Sequence, residues 1–374
     1  MGGGQGRKLG IVNSDGHIWS EQRRFALKHL RDLGFGKKSL DSAMIQEADQ
    51  VIDMLLESVD GIVEMKNTFN TAIINVLWQI VASKKFDPNH PDTNQIMEMS
   101  IAQVSNFSLV NLYPSLSKLL PLRNEDQLLL QMKTMMKTLI YEHLQDIDYD
   151  HPRDFIDVYL MQMKSNSNFD EEQLTVICME FFNAGADTTS STLLWAVLFM
   201  ALHSKVQDTC QAEIYEQIGS RPPSMDDAQN LPYVMATLME IQRMAMVAPG
   251  SLPHILMNDT LINNYTFKKG TIFLANLSKY LMDPIIFPLP KYFNPNRFLD
   301  DNGKIKKFEH FTPFSIGKRI CMGESLAKNQ MFLFFVRILQ RVTFQETNAR
   351  LSSDNVFYGL TRVPKPFKVK IILR

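Results

Sequence analysis

The sequence predicts a mainly α fold with small β-sheets, and three observations carry that expectation. Apolar residues recur at helical spacing over most of the chain; strand-like segments are few, short and late; and proline and glycine gather between 283 and 323, where they break every periodic pattern. Helical periodicity runs near residues 18–34, 40–59, 67–83, 94–109, 124–147, 152–163, 171–202, 203–218, 231–245 and 324–341. The strand-like segments are 252–257, 265–267, 271–276 and a C-terminal hairpin around 357–372. Pro284, Pro288, Pro290, Pro295, Pro313, Gly303, Gly317 and Gly323 mark a long ordered coil. A span of that length without secondary structure is uncommon in a compact domain and is usually functional, so the chemistry is expected there.

At 374 residues the chain can bury a large core, and length alone suggests two or three domains. Hydrophobic residues make up 45% and charged residues 21%, with no acidic or basic tail, so the chain reads as globular throughout. Lys and Arg number 39 against 40 Asp and Glu, a net charge of -1, which gives no electrostatic case for nucleic acid. Cys178, Cys210 and Cys321 lie far apart, without a CxxC pair or zinc-finger histidines, and an odd set of free thiols fits a reducing, cytosol-facing compartment. The longest apolar helical run, Leu193 to Leu202, falls short of the roughly 20 residues that a spanning helix needs. The start, MGGGQGRKLG, lacks the apolar region of a secretory signal and reads as a loop.

Cys321 is the first candidate site. The segment Phe314-Ser315-Ile316-Gly317-Lys318-Arg319-Ile320-Cys321-Met322-Gly323 runs from the coil straight into the helical pattern opened by Glu324. Amide N–H groups and the dipole at a helix N-terminus favour a thiolate, the form that ligates metal. Gly317 and Gly323 permit tight turns near the sulfur, and Arg319 can bind a carboxylate. A lone cysteine in a glycine turn is more often structural, so the surrounding pattern has to decide. The second candidate, Ala184-Gly185-Ala186-Asp187-Thr188-Thr189, clusters poor helix formers inside the longest helical pattern. It predicts a locally opened helix whose groove holds something. A solvated polar stripe is the alternative; flanking Phe181, Phe182, Leu193 and Leu194 argue for burial. Glu240 and Arg243 share a helix face at i,i+3 spacing, as do many pairs on solvated helices.

The pattern FxxGxRxCxG at 314–323 resembles the haem-binding loop of the cytochrome P-450 family, the haem-thiolate monooxygenases. AGADTT resembles that family's AGxDTT signature, Glu240 with Arg243 its ExxR pair, and Trp19 with Arg23 its WxxxR. The resemblance runs from Gly10 to Arg374 and is strongest to the microsomal family-2-like branch, as in WSEQRRFALKHLRDLGFGKKSL and EIQRMAMVAPGSLPH. It implies that Cys321 ligates the iron of haem b, and that Trp19, Arg23, His254 and Arg319 hold its propionates. Phe314, Gly317 and Gly323 would shape the ligand loop. Plain core packing remains the alternative for Trp19, and a hydrogen-bonded strand histidine for His254. Thr188 and Asp187 would hold dioxygen and relay protons. Arg297, in KYFNPNRF, would join Glu240 and Arg243 in a buried structural cluster, with Asn296 where many members carry an acid.

The implied activity inserts one atom of O2 into an organic substrate. No GxGxxG follows a strand, so electrons from NADPH must arrive through a separate protein, NADPH-cytochrome P-450 reductase, with cytochrome b5 as a further donor. Arg24, Lys28, Arg31 and Lys318 are the candidate basic face for it, against a simple solvated charge face as the alternative. Phe107, Phe181, Ala184, Val247, Ala248 and Tyr358 fall in the family's substrate-recognition segments and imply an apolar pocket, open to xenobiotics, steroids, fatty acids or terpenoids. Residues 107–123 (FSLVNLYPSLSKLLPLR) match a distal loop, and Leu116, Leu119, Leu120 and Leu122 would either dip into a bilayer or pack in the core. The expected location is the cytosolic face of the endoplasmic reticulum membrane. Because the match begins just before WxxxR, the expected architecture is a single domain over 1–374 with the cytochrome P-450 fold but without its N-terminal anchor, first helices and part of the first sheet. A haem-binding product without turnover is the alternative function.

Overall fold

The computed structural model describes residues 8–58, 60–88, 90, 93, 95–100 and 124–374. Its helices are α1 (Gly16–Asp32), α2 (Asp41–Leu56), α3 (Asn70–Ala82), α4 (Asn124–Asp146), α5 (Phe155–Met163), α6 (Glu171–Leu202), α7 (Ser204–Gln217), α8 (Pro232–Ala245), the short α9 (Leu277–Leu281) and α10 (Glu324–Arg341). The expected helices over these spans are all present, and most of the one expected at 94–109 lies outside the described residues.

Strands are short: β1 (Ile62–Met65), β2 (His254–Ile255), β3 (Thr260–Ile262), β4 (Tyr265–Phe267), β5 (Ile272–Phe273), β6 (Val342–Glu346), β7 (Val356–Tyr358), β8 (Arg362–Pro364) and β9 (Phe367–Leu373). All pairings are antiparallel, with β9 between β1 and β6, and with β2–β5, β3–β4 and β7–β8 as separate pairs. The expected C-terminal hairpin is corrected accordingly. Only β7 and β8 form it, while β9 leaves to pair with residues about 300 positions upstream in β1, for example Val63 with Val369.

α6 is the centre of the molecule: its buried residues fall on most of its faces rather than along one stripe. Asp170 caps it by accepting from the Gln173 amide, and Glu171 and Glu172 complement the dipole of its first turn. α3, α4, α8 and α10 pack around it. The locally opened helix expected at 184–189 is not found: α6 is continuous from Glu171 to Leu202. Gly185 has another reason. A Cβ there would lie 2.6 Å from Leu77 Cδ2, so glycine lets α3 close onto α6. A second, smaller apolar cluster of Ala236, Leu281, Phe287 and Phe298 sits under the coil.

A buried histidine ties α4 to α5. His143 Nδ1 lies 2.8 Å from the Leu139 carbonyl and Nε2 lies 3.0 Å from Asp154 Oδ2. Both partners only accept, so both ring nitrogens carry protons and the side chain is an imidazolium. Burial opposes that charge, but the Asp154 hydrogen bond, the Leu139 carbonyl and Asp157 outweigh it, and the pKa is raised above its ordinary 6.5. His143, Asp154 and Asp157 lie within 4.8 Å of one another, yet with both nitrogens donating the histidine has none left to ligate a cation. A raised pKa gives stability that is complete below about pH 6.5 and is lost as pH rises through the folded value. His143→Ala should therefore cost roughly 1–3 kcal/mol at pH 6 and distinctly less at pH 9, as read from denaturant unfolding at the two pH values.

Candidate functional site

Cys321 occupies the end of the coil, three residues before α10 begins. Its amide donates to the Phe314 carbonyl at 3.0 Å, which closes the loop 314–321 on itself. Gly317 has φ +78°, a left-handed conformation that favours glycine, and Ser315 adopts φ +65°. Gly323 has an ordinary φ of -82°, so its backbone does not require glycine; a Cβ there would lie 3.8 Å from the Cys321 sulfur. Glycine at 323 thus keeps the space beside the sulfur clear.

Cys321 is exposed as a residue, although protein closely surrounds its thiol. That enclosure raises the thiol above its ordinary value. The Gly323 amide pulls it down, the Glu324 carboxylate pushes it up, and the Arg23 charge and the Glu324 amide pull it down again. The amides expected from a helix N-terminus are therefore in place, but they do not outweigh burial; a bound metal cation would supply the rest, since a coordinating thiol is deprotonated outright. Cys178 and Cys210, by contrast, are fully buried, and burial pushes both thiols up, Cys210 to about 12.

α1 braces this loop. Arg23 Nη2 donates to the Ile320 carbonyl at 2.6 Å, the residue before the cysteine. Trp19, one turn earlier, has the Arg319 guanidinium 4.1 Å from its ring centroid and the Arg23 guanidinium at 5.9 Å. Trp19 Nε1 is buried and has no acceptor among the described residues, a cost of about 1–3 kcal/mol unless a ligand supplies one. Arg319 also has partners within the chain. Its Nη1 and Nη2 donate to the carbonyls of Ile11 and Ser14 at 3.1 and 2.7 Å. His254 lies on β2, exposed, opposite Phe273.

The α6 candidates are one turn apart. Thr188 is half-buried and its hydroxyl donates to the Ala184 carbonyl at 2.8 Å, while Ala184 is exposed. Asp187 turns the other way, buried, with Ser191 Oγ 3.5 Å from Oδ1. Burial raises its carboxyl, and the Thr361 and Ser191 hydroxyls partly offset that. Among the other pocket candidates, Phe181 is half-buried on α6, Val247 and Ala248 follow α8, and Tyr358 is exposed on β7; Phe107 and 107–123 lie outside the described residues.

The structural cluster is fully assembled. Arg243 Nε and Nη2 reach Glu240 Oε2 and Oε1 at 2.7 and 2.9 Å, and Arg297 Nε reaches Oε1 at 3.0 Å. Sequence reasoning missed two further residues. Arg362 caps α8 by donating to the Met244 and Ala245 carbonyls at 2.7 and 2.9 Å, and its guanidinium stacks on Trp195 at 4.4 Å. Glu180 holds the segment before α1. A carboxylate flanked by Met179 and Phe181 in a buried helix was the available signal.

A mainly helical protein that presents one exposed cysteine at a helix N-terminus, braced by arginine and tryptophan, offers a sulfur to which a metal-bearing cofactor could bind. The comparisons specify which. The Cytochrome P450 family model matches residues 3–371, and this chain belongs to that family. Cytochrome P450 2U1 of Homo sapiens is 37% identical over 387 residues, covering 98% of this chain and 71% of the relative. Cytochrome P450 2J2 of Homo sapiens is 36% identical over 373 residues (96% and 74%), and Cytochrome P450 2B4 of Oryctolagus cuniculus 34% over 380 residues (98% and 77%).

The residues present fit a haem. Cys321 offers a sulfur, and the unpartnered Trp19 N–H with Arg23 beside it offers donors for a propionate. Arg319 keeps unspent donors, since a guanidinium has five N–H groups.

Proposed function

We propose that this chain is a haem-thiolate monooxygenase, inserting one atom of O2 into an apolar organic substrate with electrons from NADPH through NADPH-cytochrome P-450 reductase. The observation that carries this reading is the exposed Cys321 just before α10, with Arg23 clamping the adjacent Ile320 carbonyl. When bound, haem b supplies the redox chemistry, and a thiolate ligand favours O–O cleavage over reversible oxygen binding.

The chain's own residues do the rest. Trp19, Arg23, Arg319 and His254 bind propionate oxygens, while Phe314, Gly317 and Gly323 shape the loop around Cys321. Thr188 trades its Ala184 carbonyl for dioxygen as hydrogen-bond partner, and Asp187, kept protonated longer by burial, holds the proton to be delivered. Phe181, Ala184, Val247, Ala248, Tyr358 and Phe107 supply the apolar walls for a xenobiotic, steroid, fatty acid or terpenoid. Arg24, Lys28 and Arg31 are exposed on α1 and border a groove of about 480 Å³; with exposed Lys318 they suit an acidic reductase or cytochrome b5. One catalytic domain spans 1–374, working at the cytosolic face of the endoplasmic reticulum membrane. The membrane contact assigned to this chain is peripheral; among the described residues no helix is long and apolar enough to cross a membrane.

The test is turnover by the haem-loaded chain with reductase and NADPH. Product is expected from the wild type. Asp187→Asn and Thr188→Ala should keep consuming NADPH while product falls about tenfold to a hundredfold or more and hydrogen peroxide rises. A correctly ligated sample without turnover would leave the alternative, a haem-binding chain that does not catalyse.

A further inference from the structure

We propose that Glu180 is a positioning residue for Arg319, acting through residues 10–14. This inference rests on the haem-binding reading above and names a residue that the family motifs do not include. Glu180 lies on α6 one turn before Ala184, and its carboxylate accepts from the Ile11 amide at 2.6 Å. It also accepts from the Val12 amide, at 3.2 and 3.1 Å to its two oxygens, and from Asn13 Nδ2 at 3.5 Å. One helical stretch earlier, Gln173 pairs reciprocally with Gly10, accepting from its amide and donating to its carbonyl, each at 3.1 Å. Gly10 has φ +79°, and a Cβ there would come within 2.2 Å of Glu180 Oε1. Only glycine lets the carboxylate close on these amides.

The opposite edge of the same segment faces the cysteine loop. The carbonyls of Ile11 and Ser14 accept from Arg319, and Ser14 Oγ donates to the Gly10 carbonyl at 2.6 Å, folding the segment into a compact turn. Ile11 thus has its N–H on Glu180 and its C=O on Arg319. A carboxylate on α6 and a guanidinium two residues from Cys321 are joined through one peptide residue, and charge-assisted bonds at both ends make the link stiff. Arg319 in turn stacks on Trp19. Removing the carboxylate frees the amides of Ile11, Val12 and Asn13, lets the segment shift and takes both acceptors away from Arg319.

The link is also sensitive to pH. Burial pushes Glu180 up to about 7, against the pull of the Ile11, Val12 and Asn13 amides and the Asn13 side chain. The charge that Glu180 couples to is Arg319 on the loop, which also feels Arg23 on α1 and Asp15. The carboxyl therefore changes charge near neutral pH, and the strength of its bonds to the segment changes with it.

Hydrogen exchange of the full chain without haem reads the link directly. Glu180→Ala should speed exchange at the Ile11 and Val12 amides about tenfold or more. Glu180→Gln, which keeps a neutral acceptor, should retain most of the protection and lose its pH dependence. With haem loaded, transfer to an acceptor protein should be roughly tenfold faster in Glu180→Ala than in wild type, and no faster in the Glu180→Ala, Arg319→Ala double variant than in Arg319→Ala alone. Additive effects of the two substitutions, or unchanged amide protection in Glu180→Ala, would overturn the proposal. Failure of the haem reading looks different: wild type itself would then give no thiolate spectrum.

Discussion

Replacing Cys321 with Ser abolishes the thiolate-type absorption of the reduced, carbon-monoxide-bound protein while leaving the fold in place. The two halves of that expectation have separate causes. The fold survives because serine is smaller, and its hydroxyl can take the amides of Gly323 and Glu324 that now face the sulfur. The stability change without cofactor should stay within about 1 kcal/mol. The spectrum does not survive because an alcohol is a poor substitute for a soft, readily deprotonated sulfur ligand. Cys178 and Cys210 cannot take over. Both are buried, and Cys210 Sγ is engaged with Thr237 Oγ1 at 3.3 Å. Cys178→Ala and Cys210→Ala should leave the spectrum intact. A thiolate spectrum that persisted in Cys321→Ser would move the ligand elsewhere.

The elements that the sequence predicted well are those whose signal is local. α6 and α10 begin and end where periodicity placed them, at 171–202 and 324–341, because apolar spacing and end signals lie within the segment itself. What the sequence missed near the site lies in contacts between distant segments. β1 is four residues long, and its strand character comes from β9, which no local pattern reveals. Gly185 reads as a helix opener until Leu77 is seen against it. That Arg319 also holds the carbonyls of Ile11 and Ser14 is hidden in the sequence, about 300 positions away. Glu180 left one usable signal, a carboxylate within a run of buried apolar residues, and its partners are about 170 positions away.

The buried cluster around Glu240 yields the second large effect. Glu240→Ala should destabilise the protein by about 3–5 kcal/mol, seen as a lower denaturant midpoint at unchanged slope. Arg297→Ala should cost less, because Arg243 still neutralises the carboxylate. Buried ion pairs can often be replaced by apolar groups without loss, and this one should resist that. Arg243 also donates to the carbonyls of Leu281 and Pro290 at 3.1 and 2.8 Å. Arg297 donates to those of Pro288, Leu289 and Tyr292 at 3.0, 3.4 and 3.0 Å. Glu240 itself accepts from the Asn294 amide at 2.9 Å. The coil has little regular secondary structure to satisfy these backbone groups, so the two guanidinium forks and the carboxylate serve in its place. An apolar triple replacement would fill the volume and leave five carbonyls and an amide without those partners. The cluster is thus the scaffold of the coil, and the coil presents Cys321; variants here should loosen cofactor retention along with stability, whereas Cys321→Ser removes ligation alone.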